Sequence, residues 1–151
     1  MSRHLTIHDE GLFTNSTVAV NTDDGSLDWH FQHVPAEALD LDEVFERVLI
    51  DRGNEKLVFS LGKYGILWKS DRVSGEFKGY KETVFQNAFT DIDAKTGRVT
   101  YREDIQNAKL NEWTSACPSS AGGKRFWCSS VSEGNPYCTE MGGFLVNMAT
   151  P

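Results

Sequence analysis

The fold turns on Asn21-Thr-Asp-Asp-Gly25-Ser-Leu-Asp-Trp29, because the chain returns to this pattern twice. Ala19-x-Asn21-x-x-x-Gly25-x-x-x-Trp29 is followed by Asp71-x-x-x-Gly75-x-x-x-Gly79-Tyr80, and then by Asp93-x-x-x-Gly97-x-x-x-Tyr101. Each copy sets Asp or Asn four residues before Gly, with an aromatic four or five residues further on. A side-chain oxygen at the first position can bond the backbone of its own turn, and Gly supplies the positive φ the turn requires. The strand that follows delivers its aromatic into the interface between sheets. Repeats of this kind predict stacked antiparallel sheets, and a β-propeller in particular.

Strand signals continue outward from the repeats. An alternating segment begins at Thr17, and Ser26 to Gln32 carries Trp29 and Phe31 on alternate positions. Arg47–Asp51 and Lys56–Leu61 flank Arg52-Gly53-Asn54-Glu55, which has turn chemistry. Tyr64–Lys69 and Phe77–Tyr80 extend the same sheet, and Gly142 to Pro151 is apolar enough for a further strand. Thr114 to Lys124, rich in Gly, Ser and Pro, reads as a loop, and Glu43–Arg47 is the one short stretch with helical character. The count is about eight to ten strands, with helix in under roughly a fifth of residues.

Composition narrows the function. The 151 residues suffice for one domain with a core, and 39% hydrophobic with 25% charged residues is ordinary for a globular chain. A formal net charge of −7 with no basic run argues against nucleic-acid binding. No apolar run reaches membrane-spanning length, and the basic residues of the N-terminus precede no apolar segment, so a secretory signal is not expected. The three cysteines, Cys117, Cys128 and Cys138, form no Cys-x-x-Cys pair, and their odd number leaves one thiol over if two join.

The chemistry-bearing stretch is His33 to Asp51, HVPAEALDLDEVFERVLID. Asp40, Asp42 and Glu43 follow directly on a strand-like segment. Acids clustered at a strand end suit a hard cation or a general base. On spacing alone, the plainer reading is a capped, solvated turn leading into a short helix at Glu43–Arg47. In an extended segment residues i and i+2 share a face, so Asp40 and Asp42 would point one way and Glu43 the other, into solvent.

The run TNSTVAV…GSLDWHFQHVP…LDLDEVFERVLID…GKYGILWKSDRVSGEFKGYKETVFQN…DIDAKTGRVTYR…CPSSAGGK resembles the pyrroloquinoline-quinone (PQQ) dependent alcohol dehydrogenases, the quinoproteins of the methanol/ethanol family. The resemblance covers about residues 12–126, leaving 127–151 divergent. It implies an all-β chain over residues 1–151 forming two to three blades of an eight-bladed propeller, an incomplete ring several times shorter than the family's own. The first repeat matches the family's tryptophan-docking motif, which locks adjacent blades together. By the same resemblance the chain is an internal fragment. The family's quinone-stacking Trp, its adjacent-cysteine disulfide and its Glu and Asn metal ligands belong to segments upstream of it.

Residue by residue, the resemblance makes Asp40, five positions after Pro35, the catalytic base and a metal ligand. Asp42 matches the extra acid of lanthanide-using members, where calcium-using ones have a small residue. Lys63, in Gly62-Lys63-Tyr64-Gly65, stands where a basic residue contacts PQQ oxygens; many members have Arg there. Arg125 replaces an Asn that would contact PQQ, and Cys117 with Cys138 match a structural disulfide across a shortened segment. Cys128 has no counterpart. The cofactors implied are PQQ and a calcium or lanthanide ion. The family's partners are a small alcohol substrate and a cytochrome c electron acceptor, in the periplasm, with no membrane span. Missing blades or self-association would complete the ring, and the chain by itself is expected to be inactive. Two rival readings are a non-catalytic propeller relic and a binding scaffold built of PQQ-type repeats. The Asp40, Asp42 and Lys63 set favours the enzyme lineage; Arg125 and the missing blades favour the relic.

Overall fold

A computed structural model describes residues 10–37, 39–109 and 114–123, together with the backbone of three short strands between 130 and 147. Four of the sheet strands form one up-and-down unit: β3 (Val48–Arg52), β4 (Glu55–Leu61), β5 (Ile66–Asp71) and β6 (Phe77–Glu82), hydrogen-bonded in chain order. Before them lie β1 (Ser16–Val20) and β2 (Leu27–Gln32), which pair with each other; after them β7 (Phe89–Ile92) pairs with β8 (Val99–Tyr101). A three-stranded sheet closes the sequence, in the order β11 (Leu145–Asn147), β10 (Asn135–Thr139), β9 (Ser130–Ser132). Every pairing is antiparallel. A four-stranded meander flanked by partial sheets is the architecture of propeller blades in an open arc. The strands number eleven among the described residues, slightly more than the sequence suggested.

The three repeats fold alike. Gly25, Gly75 and Gly97 have φ of 75°, 76° and 73°, and each donates its N–H to the carbonyl of the Asx residue four back, at 2.8, 2.9 and 2.8 Å. Asp71 Oδ1 accepts the amides of Val73 and Ser74, and Asp93 Oδ1 those of Lys95 and Thr96, all within 2.9 Å. These bonds hold both exposed carboxyls below the usual range. In the first copy the work is divided: Asn21 Oδ1 takes the Asp23 amide and Asp24 Oδ1 the Ser26 amide.

Each turn also serves its neighbour. The Trp29 ring lies flat against Gly75, where a Cβ would fall 2.6 Å from the indole, and its Nε1 donates to the Arg72 carbonyl at 3.2 Å. Gly97 is covered in the same way by Phe77 and Phe31, which stack with centroids 5.7 Å apart. The aromatic of the second repeat is therefore Phe77 and not Tyr80. Gly79 takes the place that Trp29 has in the first copy, and Tyr80 is left partly exposed beside Trp68.

In the inner strands β4 and β5 both faces are buried, whereas β3 buries only Val48 and Ile50 and β6 stays half-exposed. Val48, Ile50, Leu57, Phe59, Leu61 and Leu67 form one cluster, and β10 lies against β3. Ile66 and Trp68, on the other side of β5, join Val34, Leu41, Tyr64, Phe89, Ile92, Val99 and Ile105 in a second cluster. That second cluster packs the segment after β2 between the central sheet and β7–β8.

The helix lies elsewhere than expected. Residues 43–47 form no helix, and the helical turn is α1 (Glu103–Gln106), with Glu103 and Asp104 at its positive N-terminal end and Ile105 buried beneath it. Arg47 gives the reason, since its guanidinium bonds to the Glu43 and Phe45 carbonyls and holds them out of any helical ladder.

Candidate functional site

Asp40, Asp42 and Lys63 meet. The Lys63 ammonium donates to the Asp42 carboxylate at 2.8 Å and to the Asp40 main-chain carbonyl at 2.8 Å, and lies 3.8 Å from the Asp40 carboxylate. Lys63 also donates its backbone N–H to the Asp42 carbonyl at 3.0 Å. Its side chain is largely covered at 15% exposure, whereas those of Asp40 and Asp42 are 63% and 36% exposed. The acids are thus tied down from beneath and open above.

The backbone route to this meeting is not the extended one. Asp40 has φ +62°, a left-handed conformation that Asp tolerates better than most residues, and residues 41–44 belong to no strand. With no helix following, Asp40 cannot be a helix cap. Glu43 departs furthest from expectation: it is buried at 1% exposure, with its carboxylate pressed onto the Cα of Gly62, where any side chain would collide with it. Because the chain is not a regular strand here, alternation does not place Glu43 in solvent.

Lys63 is held from a second direction by the glycine-rich loop. Gly123 N–H donates to the Lys63 carbonyl at 2.7 Å, and a Cβ on Gly122 would sit 2.6 Å from the lysine stem. Asn87 fixes the start of that loop by pairing with both the N–H and the carbonyl of Cys117, at 2.7 and 3.0 Å. The Cys117 thiol is free and exposed, and of Cys138 only the strand backbone is described. Arg125 and Cys128 lie outside the described residues.

Sequence reasoning passed over the framework behind the acids. His33 is buried between Phe31 and Trp68, with Nε2 at 2.8 Å from the Thr17 hydroxyl and 3.3 Å from that of Ser60. Burial, reinforced by the nearby Arg47 charge, pushes its pKa down to about 3. Arg47 bonds the Thr17 hydroxyl through Nε at 2.7 Å and the Glu43 carbonyl through Nη2 at 2.8 Å. Burial lowers its pKa, against the raising influence of Glu43 and Glu46. Tyr101 donates to the Pro35 carbonyl at 2.9 Å, and beside it burial drives the Tyr64 hydroxyl well above its ordinary range. Only spatial proximity reveals these residues; their spacing in the sequence carries no signal.

The donor set suits a hard cation. Two carboxylates and a main-chain carbonyl are all oxygen ligands, and they already converge on a positive charge, the Lys63 ammonium. The set is small, and among the described residues no group of three or more His, Cys, Asp or Glu side chains could hold a metal ion. Lys63 also suits a quinone oxygen: of its three N–H donors, two are taken by Asp40 and Asp42.

Comparison with known proteins agrees with this fold. The sequence profile described as "Glucose/ethanol/alcohol dehydrogenase, beta-propeller domain" matches residues 5–77. A quinohemoprotein alcohol dehydrogenase of Pseudomonas putida is 34% identical over 115 residues, 71% of this chain and 16% of that protein. The solved structure of such an enzyme from P. putida HK5 superposes with a TM-score of 0.74 at 31% identity, over 85% of this chain and 20% of the other. A europium-containing methanol dehydrogenase shares the fold, with a TM-score of 0.76 at 22% identity, over 85% of this chain and 23% of that one. The chain spans 16–18% of the length of the curated relatives it matches. No helix among the described residues is long and apolar enough to cross a membrane. With its turn repeats, blade topology and docked Trp29, the chain is a stretch of two to three blades from a quinoprotein propeller, and it belongs to the PQQ-dependent alcohol dehydrogenase family.

Proposed function

We propose that this chain supplies the proton-accepting wall of a site that oxidises small primary alcohols. The observation that supports it is the gathering of Asp40 and Asp42 around Lys63, at the open end of the segment that follows β2. When bound, PQQ supplies the hydride acceptor and a calcium or lanthanide ion supplies a Lewis acid. Asp40, the more exposed of the two acids, takes the alcohol's hydroxyl proton on a carboxylate oxygen. Asp42 offers an anionic oxygen to the cation, and Lys63 keeps both acids from drifting apart while presenting its remaining N–H toward the quinone. Arg125 stands in the sequence where the family's quinone-contacting Asn would be. Relatives named as quinohemoprotein and as cytochrome c-linked enzymes support a c-type cytochrome as electron acceptor, and with it a periplasmic setting.

The test uses a full-length relative carrying residues 33–63 of this chain. Asp40→Asn lowers turnover on the order of 10²–10⁴-fold, the usual contribution of a general base, while quinone absorbance is retained. Asp42→Ala shifts metal preference from lanthanide toward calcium. Unchanged turnover in Asp40→Asn would remove the base assignment.

A further inference from the structure

Asn15 stands just before β1, half-buried, in the left-handed region at φ +47°. Its side chain spends both ends on the main chain on either side of a single residue. Oδ1 accepts the Glu43 N–H at 3.1 Å, and Nδ2 donates to the Leu41 carbonyl at 3.4 Å. The residue so bracketed is Asp42. Meanwhile the Asn15 carbonyl accepts the His33 N–H at 3.0 Å, so its own backbone is fixed to the end of β2. A positive φ strains a residue other than Gly, and Asn is among the residues that bear it best.

From this geometry we infer that Asn15 is a positioning residue for Asp42: it fixes the main chain at 41–43 from β1, and Lys63 then holds the carboxylate from the β4–β5 turn. This assignment rests on reading Asp42 as a metal ligand only for its functional meaning; the geometric part stands on the bonds themselves. Irregular backbone has no ladder to fix it, so an acid carried on such a segment needs side-chain bonds to hold an aim. Arg47 supplies a parallel tie lower down, from the Glu43 carbonyl to Thr17 and the Ser16 carbonyl of β1. Asn15 differs from it by touching both peptide groups that flank Asp42.

The variants separate backbone from side chain. Asn15→Gly keeps the positive φ and removes both bonds; Asn15→Asp keeps an acceptor for the Glu43 N–H and loses the donor to Leu41. In ¹⁵N-labelled chain, Asn15→Gly is expected to speed exchange of the Glu43 amide on the order of tenfold, the loss of about one hydrogen bond. It should also broaden the Lys63 ammonium resonance through its looser pairing with Asp42. Asn15→Asp restores the Glu43 protection. Amides of β4 serve as the reference, because a merely structural role would speed them by the same factor. With terbium as the probe metal, affinity falls in Asn15→Gly and in Asp42→Ala. Equal Glu43 exchange in Asn15→Gly and wild type, or acceleration shared with β4, overturns the assignment; should Asn15→Gly fail to fold, absence of Glu43 protection in Asn15→Asp does the same. Terbium affinity unchanged in Asp42→Ala alone would instead remove the ligand reading of Asp42, leaving the positioning result to the exchange data.

Discussion

The Asx–Gly turns and the segment from His33 to Glu43 are built by opposite means. Each turn closes on itself within a few residues: an Asx oxygen accepts nearby amides and a glycine accepts the backbone's reversal. The acid-bearing segment has hardly any such local order. It is held by Asn15, Arg47, Lys63 and Tyr101, residues up to 66 positions away in the chain. The turns repeat because they solve the same local problem three times. The site does not repeat, and its geometry depends on several blades being in place at once.

The largest effect on stability is expected where a local turn has been recruited into a distant contact. Gly75→Ala must both hold φ +76° with a side chain and displace the Trp29 indole, which together cost about 2–5 kcal/mol. Gly25 has the same turn geometry at φ +75° with nothing within 4 Å, so Gly25→Ala pays only the conformational part, about 1–2 kcal/mol. Urea midpoints of the two variants measure the docking contribution by difference. Equal losses would mean that Trp29 contributes nothing through this contact.

The second effect belongs to the site's framework. His33 is neutral in the folded protein, with a pKa near 3, and protonates near 6.5 when unfolded. The unfolded chain therefore binds the extra proton first. Stability from this group is fully present above pH 6.5 and falls by about 1.4 kcal/mol per pH unit on the way down toward pH 3. Between pH 6.5 and 5, above the range of ordinary carboxyls, His33 should dominate the slope. Denaturant melts across that interval test this, and a His33→Gln variant with an undiminished slope would assign the effect to another group.

These two regions also differ in how far they could be read beforehand. The repeats carried the strand order and the Trp29 docking, because a turn's chemistry lies within nine residues of sequence. Even there Phe77 displaced Tyr80, since which aromatic reaches the next glycine depends on the twist and bulge of β6 against β5. In the site, Asp40, Asp42 and Lys63 were visible through resemblance, and they do come together. Glu43 was misjudged because alternation applies to strands, and the segment is not one. Asn15 and His33 left no trace in the spacing. Their roles arise from main-chain groups that only the folded topology brings within reach.

The smallest effect tests whether the turns are as self-contained as their geometry implies. Asp93 is fully exposed, and its carboxyl is held below the usual range chiefly by the Thr96 and then the Lys95 amides. Its folded pKa is thus depressed, so its contribution is present above the unfolded carboxyl range and is lost as pH falls through the folded value. Asn21 holds the corresponding place in the first repeat without a charge, which makes Asp93→Asn a substitution the fold already uses. Asp93→Asn should change the thermal midpoint little near pH 7 and make that turn insensitive to acid. Asp93→Ala, which removes the acceptor, should lower the midpoint near pH 7, and the difference from wild type should shrink as the pH falls. Because the Phe77–Gly97 contact lies beyond the acid's reach, neither change should alter near-ultraviolet circular dichroism from the buried aromatics. A change there would mean that turn and interface are coupled, and that the local half of the comparison is less local than the bond lengths suggest.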